Sequence, residues 1–490
     1  MISYWLDSKE VRERIYIPKY YDPGIVARLN MLKKTHDLYK VSDLIKDGNI
    51  YISTGNEIGK LAYGTGDIPF VRTSDISNWE TKSAPKQGIS EDIYITYANN
   101  QDVQNGDILL VRDGTYLIGT NCIITELDKK IVYQSHILKI RVSKNFIDPY
   151  LIFIILNSPL VQEQIRSVQF TADTIDTIGN RFQELILPIP KDQDLCDKIS
   201  KNAKDSMNSR ELGKAFIKQA PLIIEQVLQT NTTKPIDDFL KKNWDEILKD
   251  MAQDTVTSEF GHFETFWIKP TDITERIYLP KYYDPDITKE LSVLSSSCNC
   301  ISILELCHKG ILSISTGDEI GKMAYGTGDI PFVRTSDFSN WELKHDPKQG
   351  ISEEIFLDYK DSQDVKSGDI LLVRDGTYLI GTSCIITDED EKMLFCGGLY
   401  KIRVNVNDSL DQWILLAILN SYLVKRQIRT KQFTRDVIDT IGKRLYEIIL
   451  PIPKSKTVRE SLSLQMKSIV ESRMQGRITI KNQAKNIIQI

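Results

Sequence analysis

The fifteen residues GDILLVRDGTYLIGT stand at Gly106–Thr120 and again, letter for letter, at Gly368–Thr382, a shift of 262 positions. The copy extends well beyond them. ISTGNEIGK from Ile52 returns as ISTGDEIGK from Ile314, and YGTGDIPFVRTSD from Tyr63 returns unchanged from Tyr325. Further on, LNSPLV at Leu156 matches LNSYLV at Leu419, and LILPIPK at Leu185 matches IILPIPK at Ile448, the shift now being 263. A period this long is no solenoid unit of roughly 20–50 residues; it is a whole domain duplicated in tandem. Any fold must therefore be built twice, and any chemistry carried by the duplicated part should also appear twice.

Within each copy the apolar runs are short and punctuated by Gly, Asn and Asp: YISTG, DIPFVRTSD, DILLVRDGT, YLIGTNCIIT and ILKIRV from Ile137. That pattern predicts strands joined by tight turns. From Asp148 and from Asp411 the apolar residues fall at helical spacing instead, which predicts a helix with Asn157-Ser158-Pro159 in its middle. After each module comes a long amphipathic stretch. Leu195–Gln229 carries Leu195, Ile199, Leu212, Phe216, Ala220, Ile223, Ile224 and Val227, with Pro221 as a kink or break. Val458–Ile490 ends the second half in the same way. The two apolar stripes suit each other as partners. Thr230–Glu264 reads as a polar connector with one short helix around Ile236–Met251. The expected fold class is α+β: a β-rich module at 1–190, a helix at 191–230, a connector at 231–264, a second module at 265–453 and a second helix at 454–490.

Repeated catalytic chemistry is not visible. The five histidines His36, His136, His262, His308 and His345 have no histidine at the matching place in the other half, which removes a duplicated His-based acid/base or metal site. Cys298, Cys300, Cys307 and His308 cluster, but their counterparts are His36, Leu38, Ile45 and Lys46, so neither zinc nor any other metal is expected. Asp107, Asp113 and their twins Asp369 and Asp375 stand at turns, where a capping role is expected. There is no P-loop, and no strand ending in the Asn-Pro-Pro-aromatic run of an adenine methyltransferase. Seven cysteines, an odd number, suggest reduced thiols in a cytoplasm. No apolar run approaches the ~18 residues of a membrane span, and the start of the chain does not read as a signal peptide.

Two β-rich modules, each closing in PIP before a long helix and each carrying IPFVRTSD-[Ile/Phe] and GDILLVRDGT in order, resemble the specificity (S) subunit of type I restriction–modification systems. The resemblance covers nearly the whole chain. It implies a non-catalytic subunit with two target recognition domains that read the halves of a split DNA sequence. It also implies that the two helices form an antiparallel coiled coil that fixes the spacing and docks two methyltransferase subunits, with a restriction/translocase subunit as a further partner. The partners, not this chain, would use S-adenosylmethionine. The two modules are closer copies than is usual in that family, so a near-palindromic target is expected. The departures leave open a specificity-like adaptor in another DNA or phage defence complex.

Residues expected at the DNA are polar groups in the repeated loops: Lys60, Tyr63, Arg72, Thr73, Ser74, Lys86, Gln87, Arg112 and Thr115 in the first half. Their twins are Lys322, Tyr325, Arg334, Thr335, Ser336, Lys348, Gln349, Arg374 and Thr377. Arginine suits guanine O6/N7 or phosphate, although Arg72 and Arg112 could equally serve to hold neighbouring aspartates. Gln134 and His136 join them because Gln134, Ser135 and His136 face Cys396, Gly397 and Gly398 in the copy, the first place to look for a difference in base preference. The net charge of −5 means that any DNA surface must gather its Lys and Arg locally or borrow charge from partners.

Overall fold

The computed structural model describes residues 5–7, 11, 15–114, 116–172, 175–253, 265–274, 277–376, 378–405, 407–435 and 438–488. It divides into two units, Met1–Ser209 with Gln475–Ile490, and Arg210–Met474.

In the first unit the alternating runs form a four-stranded antiparallel sheet in the order Ile50–Thr54, Ile137–Val142, Ile108–Val111, Asn121–Ile123. A smaller sheet sets Ile68–Val71 between antiparallel Gly88–Ile89 and parallel Val132–Tyr133. His36–Lys40 pairs antiparallel with Ile186–Pro190, so the PIP closing is itself a strand. The helix Pro149–Leu156 lies at the centre of the core, with every residue from Tyr150 to Leu156 buried. Its start is dictated locally: Asp148 accepts the Tyr150 N–H and Pro149 takes the first helical position. Burying such side chains stabilises the module by about 1.5–3 kcal/mol each.

The single helix expected across Asn157-Ser158-Pro159 is two helices, Pro149–Leu156 and Pro159–Val168. Proline is not the cause. The second unit has Tyr422 in its place and breaks identically, between Gln412–Leu419 and Tyr422–Lys431. There Asn420 Nδ2 donates to Leu416 O at 2.9 Å, and Ser421 Oγ donates to Ile418 O and caps Val424 N–H. Short polar side chains that bond to nearby backbone end a helix without help.

The long stretches are helices Gln193–Thr230 and Lys456–Asn486. The first runs continuously through Pro221. In the first unit Cys196, Ile199, Ala203 and Met207 of one helix share a core with Ile480 and Ala484 of the other and with Ile487 just past its end, and Gln483 Nε2 donates to Ile199 O at 3.4 Å. In the second unit Arg210 meets Arg473 and Thr233 meets Ser461, so within each unit the helix segments run antiparallel. Gly213 permits the close approach, since a Cβ there would stand 2.6 Å from the Arg473 side chain. The connector holds two helices where one was expected, Lys234–Lys241 and Trp244–Gln253. Asn243 caps the second reciprocally with Glu246, which explains the break. Residues 254–264 lie outside the described residues.

The second unit repeats the strand pattern: Leu312–Thr316, Leu399–Val404, Ile370–Val373 and Ser383–Ile385 form its four-stranded sheet. Cys122 and Cys384 are fully buried in their strands. Among the described residues no group of His, Cys, Asp and Glu is placed to hold a metal. Burial pushes the Cys298 thiol up to about 11, and its Sγ lies 3.6 Å from Leu228 O. No described helix is long and apolar enough to cross a membrane.

Candidate nucleic-acid interface

Four segments converge in each module. The strand Ile68–Val71 runs out into Arg72, Thr73 and Ser74, and Ile108–Val111 runs out into Arg112 and Asp113. Both Arg112 N–H and Asp113 N–H donate to His136 O, at 2.9 and 3.3 Å, and Gln134 N–H donates to Val71 O at 3.0 Å. On the other flank, Gly114 N–H reaches Asp176 O and Ile178 N–H reaches Arg112 O. Gly114 has φ +132°, a conformation open in practice only to glycine. The second module repeats each bond: Arg374 and Asp375 N–H to Gly398 O, Cys396 N–H to Val333 O, Gly376 N–H to Asp439 O.

The 134–136 loop is pinned from below. Gln101 ends a helix in each sense: its side chain accepts from Tyr133 N–H at 2.9 Å and donates to Tyr133 O at 2.8 Å. Gln363 does the same for Phe395. Gly55 lies so close that a Cβ would come 2.2 Å from Tyr133 O, and Gly317 stands likewise against Phe395 O. The backbone leading into the loop is therefore fixed by bonds that do not involve the side chains at 134–136 or 396–398.

The arginines divide into two kinds. Arg72 N–H and Arg334 N–H donate to Asp75 and Asp337, at 3.1 and 2.9 Å, so the aspartates hold the turn through the main chain. Burial raises the Asp75 carboxyl above its ordinary range despite Lys82 and the Arg72 N–H. Arg72 Nε is shielded from water and has no hydrogen-bond partner among the described residues. Arg112 and Arg374, in contrast, grip the carboxylates next to them, with shortest contacts of 2.6 and 2.7 Å. Burial opposes ionisation of Asp113, but hydrogen bonds from Arg112, Thr177 and His136 outweigh it and hold the carboxyl below its ordinary range. The bond to Asp375 raises the Arg374 guanidinium in turn.

Arg72, Arg112, Gln134 and His136 thus come together in the first module, and Arg334, Arg374 and Cys396–Gly398 in the second, with Thr73 and Thr335 half-buried and Ser74 and Ser336 exposed beside them. A second group borders the same strand. Gln87 O and Gln349 O accept from Phe70 and Phe332 N–H, and Gly64 N–H reaches Gly88 O. Lys60, Lys86, Lys322 and Lys348 are exposed there. Tyr63 stacks on Phe70 with centroids 5.7 Å apart, and Tyr325 on Phe332 at 5.5 Å, which makes these rings part of the module's packing. Thr115 and Thr377 lie outside the described residues. Asp107 accepts the Gln104 N–H at 2.8 Å, a turn-holding contact, and is bound by Arg141 as well.

One set of residues was not singled out by sequence. The identical SNWE runs form hairpins whose two loop residues have positive φ, Asn78 and Trp79 at 51° and 65°, Asn340 and Trp341 at 50° and 64°. A two-residue turn of type I′ needs this, but it usually takes Asn-Gly. Tryptophan is held there because its Nε1–H donates to the helix-breaking asparagine, Trp79 to Asn157 at 2.9 Å and Trp341 to Asn420 at 3.1 Å. Next to it Glu342 is buried against Arg210 and Arg473, at 2.9 and 3.1 Å. The hairpin of the second module is therefore locked to the helix pair of its own unit. The repetition of SNWE was the available signal.

No protein-family model matches the chain, and no curated protein matches it. Solved structures do. The chain is similar to the type I restriction–modification S subunit from M. genitalium, at 12% identity over 91% of this chain and 92% of that one, with a TM-score of 0.33. It is similar to the HsdS subunit from Thermoanaerobacter tengcongensis at 14% identity, over 93% and 96% of the chains, with a TM-score of 0.27. A further match is a chain from a structural study of complex assembly and conformational transition in the type I R-M system, at 13% identity, 92% and 98% coverage and a TM-score of 0.27.

Proposed function

We propose that this chain is a DNA-specificity subunit of the type I restriction–modification kind, a protein without chemistry of its own that reads a bipartite target and directs partner adenine methyltransferase subunits to it. The observation that carries the reading is that a site is duplicated, not only a sequence. Matching strands deliver Arg72 and Arg334, and Arg112 and Arg374, into matching loops, each with a fixed backbone and a variable neighbour. A rigid platform with interchangeable side chains is what base readout requires, because backbone contacts position a protein on DNA while side chains at base edges discriminate. The long helices set the distance between the two readers and offer the docking surface for two methyltransferase subunits, which bring S-adenosylmethionine and much of the positive charge that a chain of net charge −5 lacks. A restriction subunit completes the assembly, in the cytoplasm where its DNA is.

The test is a base-resolution methylation map of cells with and without the chain, the partner genes being present in both. A split adenine-methylated motif that disappears with the chain is the expected result. If no motif is lost and the assembled complex selects no sequence from a random DNA pool, the reading fails.

A further inference from the structure

We propose that the two modules read different bases at one matched position of the target, because the same Arg–Asp loop is capped by an imidazole in the first module and presents an open carboxylate oxygen in the second. The inference rests on the DNA-reading role proposed above.

In the first module the Asp113 carboxylate is spent. Its Oδ1 accepts from Arg112 Nε at 2.9 Å and from the Thr177 hydroxyl, and its Oδ2 accepts from Arg112 and lies 2.8 Å from His136 Nδ1. The side chain is 7% exposed. His136 itself stays partly open, at 35%, with Nε2 3.7 Å from Glu57 Oε1, while the Ser135 hydroxyl is taken by Glu57. A base edge arriving here meets imidazole.

In the second module both guanidinium bonds go to one oxygen, Arg374 Nε and Nη2 to Asp375 Oδ2 at 2.9 and 2.7 Å. Asp375 Oδ1 has no hydrogen-bond partner among the described residues, and the side chain is 26% exposed. Thr440 accepts the Gly442 N–H just as its twin Thr177 accepts that of Gly179, but Thr177 also donates to Asp113, and among the described residues Thr440 makes no such bond to Asp375. Gly398 stands where His136 stands in the first module; a Cβ on it would lie 3.0 Å from Thr335 Cγ2, 3.6 Å from Cys396 Sγ and 3.9 Å from Asp375 Cβ, so the glycine sets no side chain of its own beside the carboxylate. A carboxylate with a free oxygen accepts from an exocyclic amino group, which in the major groove means cytosine N4 or adenine N6. The second half-site therefore carries cytosine or adenine at this position and the first half-site a different base; elsewhere the halves match, as two modules this similar require.

The experiment is selection from a random DNA pool by the assembled complex, comparing the unaltered chain with Q134C/S135G/H136G, which copies the second module's loop into the first. The backbone tolerates the exchange, since the second module already carries it on the same hydrogen bonds. The expected result is that one base of the first half-site changes to that of the second, making the target a palindrome. An unchanged motif, or a motif that is symmetric before the exchange, overturns the inference. Should the triple variant fail to assemble, D375N decides: the preference at one position of the second half-site falls about tenfold or more with the first half-site untouched, or the inference is wrong. A complex that selects no motif with the unaltered chain sinks the DNA-reading role itself, a separate outcome.

Discussion

Replacing Glu342 with glutamine removes one negative charge from between two arginines that water does not reach, Arg210 at 0% and Arg473 at 1% exposure. Oε2 accepts from Arg210 Nη2 at 2.9 Å and from Arg473 Nη2 at 3.1 Å, and Oε1 lies 3.2 Å from Arg210 Nη1. Glutamine keeps the shape, but it turns one acceptor into a donor facing guanidinium N–H groups. Breaking a buried pair from one side costs about 3–5 kcal/mol, because the remaining charge stays out of water. The guanidiniums keep some compensation, since Arg210 Nη1 donates to Arg473 O at 2.9 Å and Arg473 Nη1 to Arg210 O at 2.6 Å, so the lower end, about 3 kcal/mol, is expected. In a unit of this size 1 kcal/mol moves the midpoint by about 2–4 °C, giving a fall of about 6–12 °C. Differential scanning calorimetry measures it, and the transition of the second unit should move. E342D, which keeps the charge but withdraws it by one methylene, should fall between the two. A shift below about 2 °C for E342Q would refute the argument that this carboxylate neutralises the buried arginines.

Other expectations follow from single contacts. Asp364 should titrate near 2, held down first by its hydrogen bond to Arg403 and then by Lys366. Since its folded value lies below the ordinary carboxylate range, its contribution is intact above about pH 4 and lost as pH falls toward 2; carboxyl carbon shifts followed by NMR, with R403K returning the titration upward, check it. Asn157→Ala strips Trp79 Nε1–H of its acceptor and Asn121 of a partner, so the first module should lose about 1–3 kcal/mol, read as a lower denaturant midpoint with altered tryptophan emission. Arg72→Ala should weaken specific DNA binding by the assembled complex by about 1–3 kcal/mol while leaving the melting curve in place, because the turn is held by the Arg72 main chain and not its guanidinium. Loss of stability in that variant would mean that the side chain is structural.

The strands and the long helices were legible because they depend on periodicity and turn chemistry within a few residues. The break at Asn157 was missed because apolar spacing continues across it; what ends the helix is side-chain bonding to the backbone, reinforced by Trp79, which lies 78 residues away. The Arg210–Glu342–Arg473 cluster was out of reach for the same reason, since its members are 131 to 263 residues apart and each is a charged residue that composition alone would put at the surface. Within the candidate interface, Arg72 and Arg112 could be picked by position after their strands. That Arg112 serves Asp113 while the Arg72 guanidinium leaves its aspartate to the main chain needed the fold.

The duplication also explains which positions are at liberty to differ. Arg210 and Arg473 are sequence twins at the later shift of 263, inside a repeated Ser-Arg-x-x-Gly-[Lys/Arg]-x-x-Ile-Lys run. They bind each other's carbonyl reciprocally. At such a point a change in one copy alters the surroundings of the other, so the two are tied. SNWE is tied in the same sense, because its tryptophan must meet an asparagine and its glutamate must stay buried, in both copies. Residues 134–136 and 396–398 are held differently: Gln101 and Gln363 fix the backbone just before them, at Tyr133 and Phe395, through atoms common to every amino acid, and their side chains make different contacts in the two copies, His136 with Asp113 in one and a buried Cys396 in the other. A change in these loops alters what they present without disturbing the glutamines that hold the chain before them.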